Sequence, residues 1–405
     1  MRTLDAFGKC ILASGIAAAL LASPGTAYAR GYSILYSFGS QNHYAGGSDP
    51  NGVIKDSAGN LYGTTNRGGN LSDRGVAFKV APNGFETVLY TFCSQSNCRD
   101  GAYPSGGLIK DRAGNLYGTA GEGGINCQCG TVFKLPPNSA GTETVLYNFC
   151  SQSNCSDGDG PDGGVIKDSA GNLYGATAGG GTYYQGVVFK LAPDGTETVL
   201  YNFCSQNNCT DGANPIGGLI RDTAGNLYGT TLSGGNLSDL GVVFKVAPDG
   251  NETVLYSFCS QDNCSDGGYP RAGVIEDQSG NLYGTAEFGG GLNCDGETCG
   301  VIFEIAADGT YTVLHKFSGV DGGNPIGGLI RDTAGNLYGT TFDGGKYGGY
   351  FGDGVVFRLA PDGTERVLHS FAGGSDGKWP EAGLLEDKAG NLYGASTGTI
   401  FKLSK

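Results

Sequence analysis

The chain has 405 residues, of which 76 are glycine and only 16% are charged, with 25 Lys and Arg against 39 Asp and Glu for a net charge of −14. Glycine at this level without a Gly-X-Y period excludes collagen, and 39% hydrophobic content with 10% aromatics excludes a disordered chain. The acidic balance has the wrong sign for a nucleic-acid or anionic-membrane surface.

In chain order, Arg2 and Lys9 form a basic opening, residues 10–22 an apolar stretch, and Ala27-Tyr28-Ala29 a small-x-small cleavage site. This predicts a signal peptide over 1–29 and an exported product over 30–405, in the periplasm, at the surface or outside the cell. No later run approaches about 18 apolar residues, so no membrane span is expected.

The phrase Asp-x-x-Gly-Asn-Leu-Tyr-Gly then begins at Asp56, Asp111, Asp168, Asp222, Asp277, Asp332 and Asp387, at spacings of 54 to 57 residues. A fixed period of this size signals a repeat architecture. In the fourth unit, residues 218–221 lead into a turn, 227–231 follow, a Gly-rich loop precedes 242–246, and Pro248-Asp249-Gly250 leads to 253–258. These segments are β-branched or aromatic and bounded by Gly, Pro, Asn and Asp, which predicts four short strands per unit and no helix. The ends decide between a ring and an open array. Residues 32–38 match the fourth strand of a unit, and 398–403 match the third strand of a last unit that lacks its fourth. Pairing them predicts an all-β, seven-bladed β-propeller with four antiparallel strands per blade, closed by both termini.

A second level of repetition lies above the blades. Residues 56–80 and 222–246 agree at 20 of 25 positions. Blades two and five share a cysteine-bearing loop with Glu122 and Glu287 nearby, and blades three and six share Tyr-rich loops. Cysteines come as near neighbours on a chain expected to be exported, so local disulfides are expected for Cys93/Cys98, Cys150/Cys155, Cys204/Cys209, Cys259/Cys264 and Cys294/Cys299. Bridging Cys127 to Cys129 would be strained, and their state is left open.

The stretches 217–231 (Gly-Gly-Leu-Ile-Arg-Asp-Thr-Ala-Gly-Asn-Leu-Tyr-Gly-Thr-Thr) and 186–201 (Gly-Val-Val-Phe-Lys-Leu-Ala-Pro-Asp-Gly-Thr-Glu-Thr-Val-Leu-Tyr) resemble the GloVer tandem repeat of exported bacterial proteins. The resemblance covers essentially all of the mature chain and implies an extracellular or envelope-associated protein without implying a reaction. The Pro-x-Gly-Gly strand followed by Gly-Asn-Leu-Tyr is also similar to NHL-type propellers. That similarity implies an innermost first strand, with the fourth-to-first and second-to-third connections on one face.

Those connections carry the candidate site residues. Asp-Gly-x-x-Pro recurs with Asp100, Asp157, Asp211, Asp266, Asp321 and Asp376. Capping a tight turn is the simpler role; the alternative is a ring of carboxylates near the channel mouth able to attract Ca²⁺, and no other cofactor is expected. Tyr103, Tyr183, Tyr184, Tyr269, Tyr347, Tyr350, Phe351 and Trp379 fall in the more variable connections, where exposed rings can stack on sugars or anchor a protein. Histidine is scarce: His315 and His369 replace a strand Tyr, and only His43 is in a loop. A Ser-His-Asp or multi-His site therefore lacks material. The expected function is non-catalytic binding of a polysaccharide or an envelope or extracellular protein through the loop face. The alternatives are a secreted hydrolase or lyase using loop carboxylates such as Glu122 and Glu287 with a divalent cation, and a structural envelope protein.

Overall fold

The computed structural model describes residues 31–39, 45–69, 72–125, 129–137, 141–294, 297–347 and 351–404. The expected signal peptide, His43, Cys127 and Tyr350 lie outside these residues.

Seven four-stranded antiparallel sheets form the ring, with one small extra hairpin, Leu292–Cys294 with Glu297–Thr298, in the cysteine-bearing insertion of blade five. Blade four consists of Ile220–Arg221, Leu227–Thr231, Val242–Val246 and Glu252–Ser257. The innermost strand is shorter than expected. At Gly217 a Cβ would lie 2.8 Å from the backbone nitrogen of Gly273 in the next blade, so this stretch packs against a neighbour instead of pairing with its own sheet. Closure is as expected: Gly31–Ser37 pairs antiparallel with Thr399–Ser404, from Gly31 opposite Ser404 to Ser37 opposite Thr399.

The repeat motif is explained by packing. In Leu-Tyr-Gly the glycine pairs with the phenylalanine of the third strand, as Gly229 does with Phe244. A Cβ at Gly229 would sit 2.7 Å from the tip of that ring, which lies across the glycine. Each such Phe also meets the Phe that ends the preceding blade's outer strand, with ring centroids 4.9 to 5.4 Å apart in edge-on geometry at all seven seams. Such pairs contribute about 0.5–1.5 kcal/mol each beyond area burial, so this aromatic belt helps to bind every blade to the next. Nearer the axis, Thr230 donates to the Ala272 carbonyl and Thr340 to that of Ala382, stitching the second strands of these blades to the inner segment of the next.

Opposite the long loops, the Asp-x-x-Gly-Asn-Leu-Tyr turn is a carboxylate clasp. Asp56 accepts the N–H groups of Ala58 and Asn60 on one oxygen, and the Asn60 amide and Tyr62 hydroxyl on the other. Lys110 of the next blade approaches to 3.5 Å. Burial pushes the Asp56 carboxyl upward, but the Asn60 amide and N–H, the Tyr62 hydroxyl and Lys110 outweigh it and hold it down at about 2. Asp111 is held at about 2 in the same way, with Lys167 as its cation.

Candidate functional site

The long loops gather on one face because second-to-third connections hydrogen-bond to fourth-to-first connections. Gly124 donates to the Cys98 carbonyl, Gly181 to that of Cys155, and Gly235 to that of Cys209. The four Cys-Ser-Gln-x-Asn-Cys loops are closed by the expected disulfides, Cys93–Cys98, Cys150–Cys155, Cys204–Cys209 and Cys259–Cys264. Each holds one tight turn with Asn97, Asn154, Asn208 or Asn263 at φ between 56° and 59°, a conformation that Asn tolerates.

The fifth expected bridge, Cys294–Cys299, is not among the disulfides joining two described side chains, and Cys299 sits in a different setting from the other eight cysteines. It is disulfide-bonded, but the Cys294 side chain lies outside the described set, so the pairing stays an expectation. Cys299 is fully buried just ahead of the third strand of blade five, Val301–Ile305, and packs in one apolar cluster with Ile302, Phe317 and Leu329. Its sulfur therefore belongs to the core. Cys129 holds the corresponding place in blade two, buried ahead of Thr131–Leu135, with its sulfur within 4.8 Å of those of Cys150 and Cys155.

The structure places the Asp-Gly-x-x-Pro carboxylates at the seams between outer strands and not around the channel. Asp100 is fully buried and accepts the Tyr90 hydroxyl, the Ser94 N–H and hydroxyl, and the Gln95 N–H. Asp157 and Asp211 repeat this set, and Asp266 keeps the Tyr256 hydroxyl and two N–H groups. Asp321 and Asp376 instead face His315 at 3.0 Å and His369 at 3.1 Å. Each carboxylate is used within its own blade and its ring of donors, which is the turn-capping role.

The channel is lined by the inner strands, around a cavity of about 470 Å³. Sequence reasoning missed its principal side chains, those immediately after the proline: Asn51, Asp162, Ile216, Arg271, Ile326 and Glu381. The signal was present, since this position changes chemical type from unit to unit while the proline before it persists and a Gly follows within two residues. Burial raises the Asp162 carboxyl, and burial together with Asp49 raises Glu381.

The residue before each proline forms the rim. Asp49, Tyr103, Asn214, Tyr269, Asn324 and Trp379 all have φ between 49° and 56°. A left-handed Tyr or Trp is an outlier for a bulky side chain. The cause is a committed N–H: Tyr103 donates to the Arg74 carbonyl of the preceding blade, Tyr269 to that of Leu240, and Trp379 to that of Asp353. Trp379 stacks on Phe342 at 5.8 Å with planes 14° apart, and Lys378 lies 3.6 Å over its ring. Tyr103 lies under Arg74 at 4.4 Å, and Tyr269 packs edge-on to Phe288 at 6.1 Å. Farther out on the same face, Tyr183, Tyr184, Tyr347 and Phe351 are exposed. The sequence-nominated aromatics therefore form two sets, an inner one at the channel rim and an outer one on the second-to-third loops. Glu122 and Glu287 are held by ion pairs, with Arg74 at 3.5 Å and Arg271 at 2.5 Å.

The model of the Gloeobacter/Verrucomicrobia repeat matches residues 24–156, 128–347 and 295–405. The chain belongs to that family. No curated protein matches this Gloeobacter/Verrucomicrobia repeat protein. Among solved structures, it is similar to the extracellular domain of a protein described as a one-component system from B. thetaiotaomicron, at 13% identity and a TM-score of 0.55, covering 92% of this chain and 40% of that one. It is also similar to PorZ, a bacterial surface component of the type-IX secretion system of Porphyromonas gingivalis, at 14% identity and a TM-score of 0.51, covering 86% and 46%. The chain thus spans less than half the length of either, and the likeness is one of fold. Among the described residues, no helix is long and apolar enough to cross a membrane.

Proposed function

We propose that this family member is an exported, non-catalytic propeller that binds a polysaccharide through its loop face, with the channel rim as the principal contact. The observation that carries this reading is the Trp379–Phe342 stack, held at a left-handed backbone position, with the Lys378 ammonium over the indole. Backbone strain of this kind collects at binding sites, and aromatic planes flanked by polar groups suit the alternating apolar and hydroxyl faces of sugars. The disulfide-closed loops support an oxidising, extracytoplasmic location. A protein partner is the competing occupant of the same face. The hydrolase alternative gains less support, because Glu122 and Glu287 are each neutralised by an arginine.

The test is a glycan array with the full-length secreted protein, followed by affinity measurement for Trp379→Ala and for the Tyr183→Ala/Tyr184→Ala pair. Trp379→Ala should weaken polysaccharide binding at least about tenfold, the loss expected of a central aromatic anchor, and the outer pair should weaken it less. Polysaccharide binding that survives both changes overturns the assignment.

A further inference from the structure

One side chain near the start of each outer strand crosses to the preceding blade. At five seams it is a glutamate: Glu86, Glu143, Glu197, Glu252 and Glu365. In all five, Oε1 is buried and has no hydrogen-bond partner. At the other two seams the position is Tyr311, stacked on Tyr256 at 3.6 Å, and Tyr32, stacked on His369 at 3.6 Å.

The groups facing these glutamates come from the preceding blade. Glu143 faces Asp100 and Tyr90, Glu197 faces Asp157 and Tyr147, Glu252 faces Asp211 and Tyr201, and Glu365 faces Asp321 and His315. Glu86 faces Tyr36 and no aspartate. The backbone closes over the seam as well, with Gly141 donating to the carbonyl of Leu89 across it. Asp100, Asp157 and Asp211 each already accept a tyrosine hydroxyl, a serine hydroxyl and two N–H groups. The glutamate beside each keeps one buried oxygen, Oε1, without a donor; at Glu197 the other oxygen accepts the Gln152 amide at 3.4 Å.

We propose that acid strengthens the ring: at four seams two carboxyl groups from adjacent blades share one buried space, only one of them can be ionised while the seam is closed, and raising the pH through neutrality loosens the contact between blades. Like charges in a shared site cannot both ionise without a large penalty. Burial, and then the facing aspartate, push Glu143 up to about 8 and Glu197, Glu252 and Glu365 up to about 7, with His315 opposing the shift at Glu365. An unfolded chain releases these protons near 4.5, so the folded state binds more protons between that pH and about 8, and stability falls as pH rises across that interval. Other groups titrate there too. His369, lowered by burial, acts in the opposite direction, and Glu381 and Asp162 act in the same direction from the channel. The test must therefore isolate the seams.

Melting temperatures of the full-length, disulfide-intact protein should fall by several degrees from pH 5 to pH 8. The Glu143→Gln/Glu197→Gln/Glu252→Gln/Glu365→Gln variant should remove most of that fall, and Glu143→Tyr, which copies the tyrosine seams, should remove part of it. Should the Gln variant fail to fold, unfolding at pH 6 of the single variant Glu143→Gln should release about one proton fewer than that of the unmodified protein, measured by calorimetry in buffers of differing ionisation enthalpy. A flat or rising melting profile, an unchanged slope in a folded variant, or an unchanged proton release in Glu143→Gln overturns the proposal.

Discussion

The same repeat places one carboxylate in the Asp-x-x-Gly-Asn turn and another at the start of the outer strand, and it treats them in opposite ways. The turn aspartate is surrounded by donors and, in four blades, approached by a lysine or arginine of the next blade at 2.9 to 3.7 Å. The seam glutamate has an enclosed oxygen with no donor and an aspartate beside it. The turn carboxyls are accordingly held low and the seam carboxyls high. Burial alone does not decide a carboxyl's charge; the available donors do. The signs follow. The turn aspartates favour the fold above their ordinary range, and that contribution disappears as pH falls through about 2, whereas the glutamates favour it in acid and lose their effect toward pH 8. Together they put the stability maximum on the acid side of neutrality.

The comparison breaks most severely at Asp387, where ring closure and clasp coincide. Lys55, Asn391 and Tyr393 all donate to its carboxylate. Asp387→Ala leaves those donors without their acceptor and should destabilise by about 2 kcal/mol, read as a lower urea midpoint at constant slope. An unchanged midpoint would mean that the clasp is decorative. A smaller effect of opposite sign sharpens the contrast. The position that carries Lys55, Lys110 and Lys167 in other blades carries Glu276 in blade five, where burial and the charges of Asp222 and Asp277 raise it. Glu276→Lys restores a cation opposite Asp222 and should stabilise by a few tenths of a kcal/mol, up to about 1, with a gain that shrinks in high salt; a loss of stability contradicts the clasp. The smallest effect concerns calcium. Because the Asp-Gly-x-x-Pro carboxylates already accept N–H and O–H donors, EDTA should leave the melting curve where it is. A drop would reinstate them as cation ligands.

Fold and ring closure were legible because every blade repeats the same strand and turn signals, and because the spare fourth strand at 32–38 has no partner except 398–403. The four recurring disulfides were legible from their short spacing, whereas the burial of Cys299 was not, since its core neighbours Phe317 and Leu329 come from later in the chain. What stayed hidden depends on contact between blades. Glu143 looks like a charged residue on a solvent-facing strand end; nothing within its own unit shows that Asp100 lies against it. The channel residues Arg271 and Glu381 were overlooked because a position that differs in each unit reads as tolerance of change. Only the inner placement of the first strand turns that variety into a lining. The turn-capping role of the Asp-Gly-x-x-Pro aspartates was legible from the motif, and Asp100 accepts the turn's own donors; that the residue before the proline takes a left-handed backbone was not.

The latch between Gly31–Ser37 and Thr399–Ser404 also governs the order of assembly. Six sheets can form from consecutive stretches, while the seventh joins the two ends of the ring, with Gly31 opposite Ser404. Such a long loop is slow to close, so the polypeptide would spend its last folding phase as an open arc presenting two unpaired strand edges. Joining those two edges ends the interval in which the chain is most prone to aggregate.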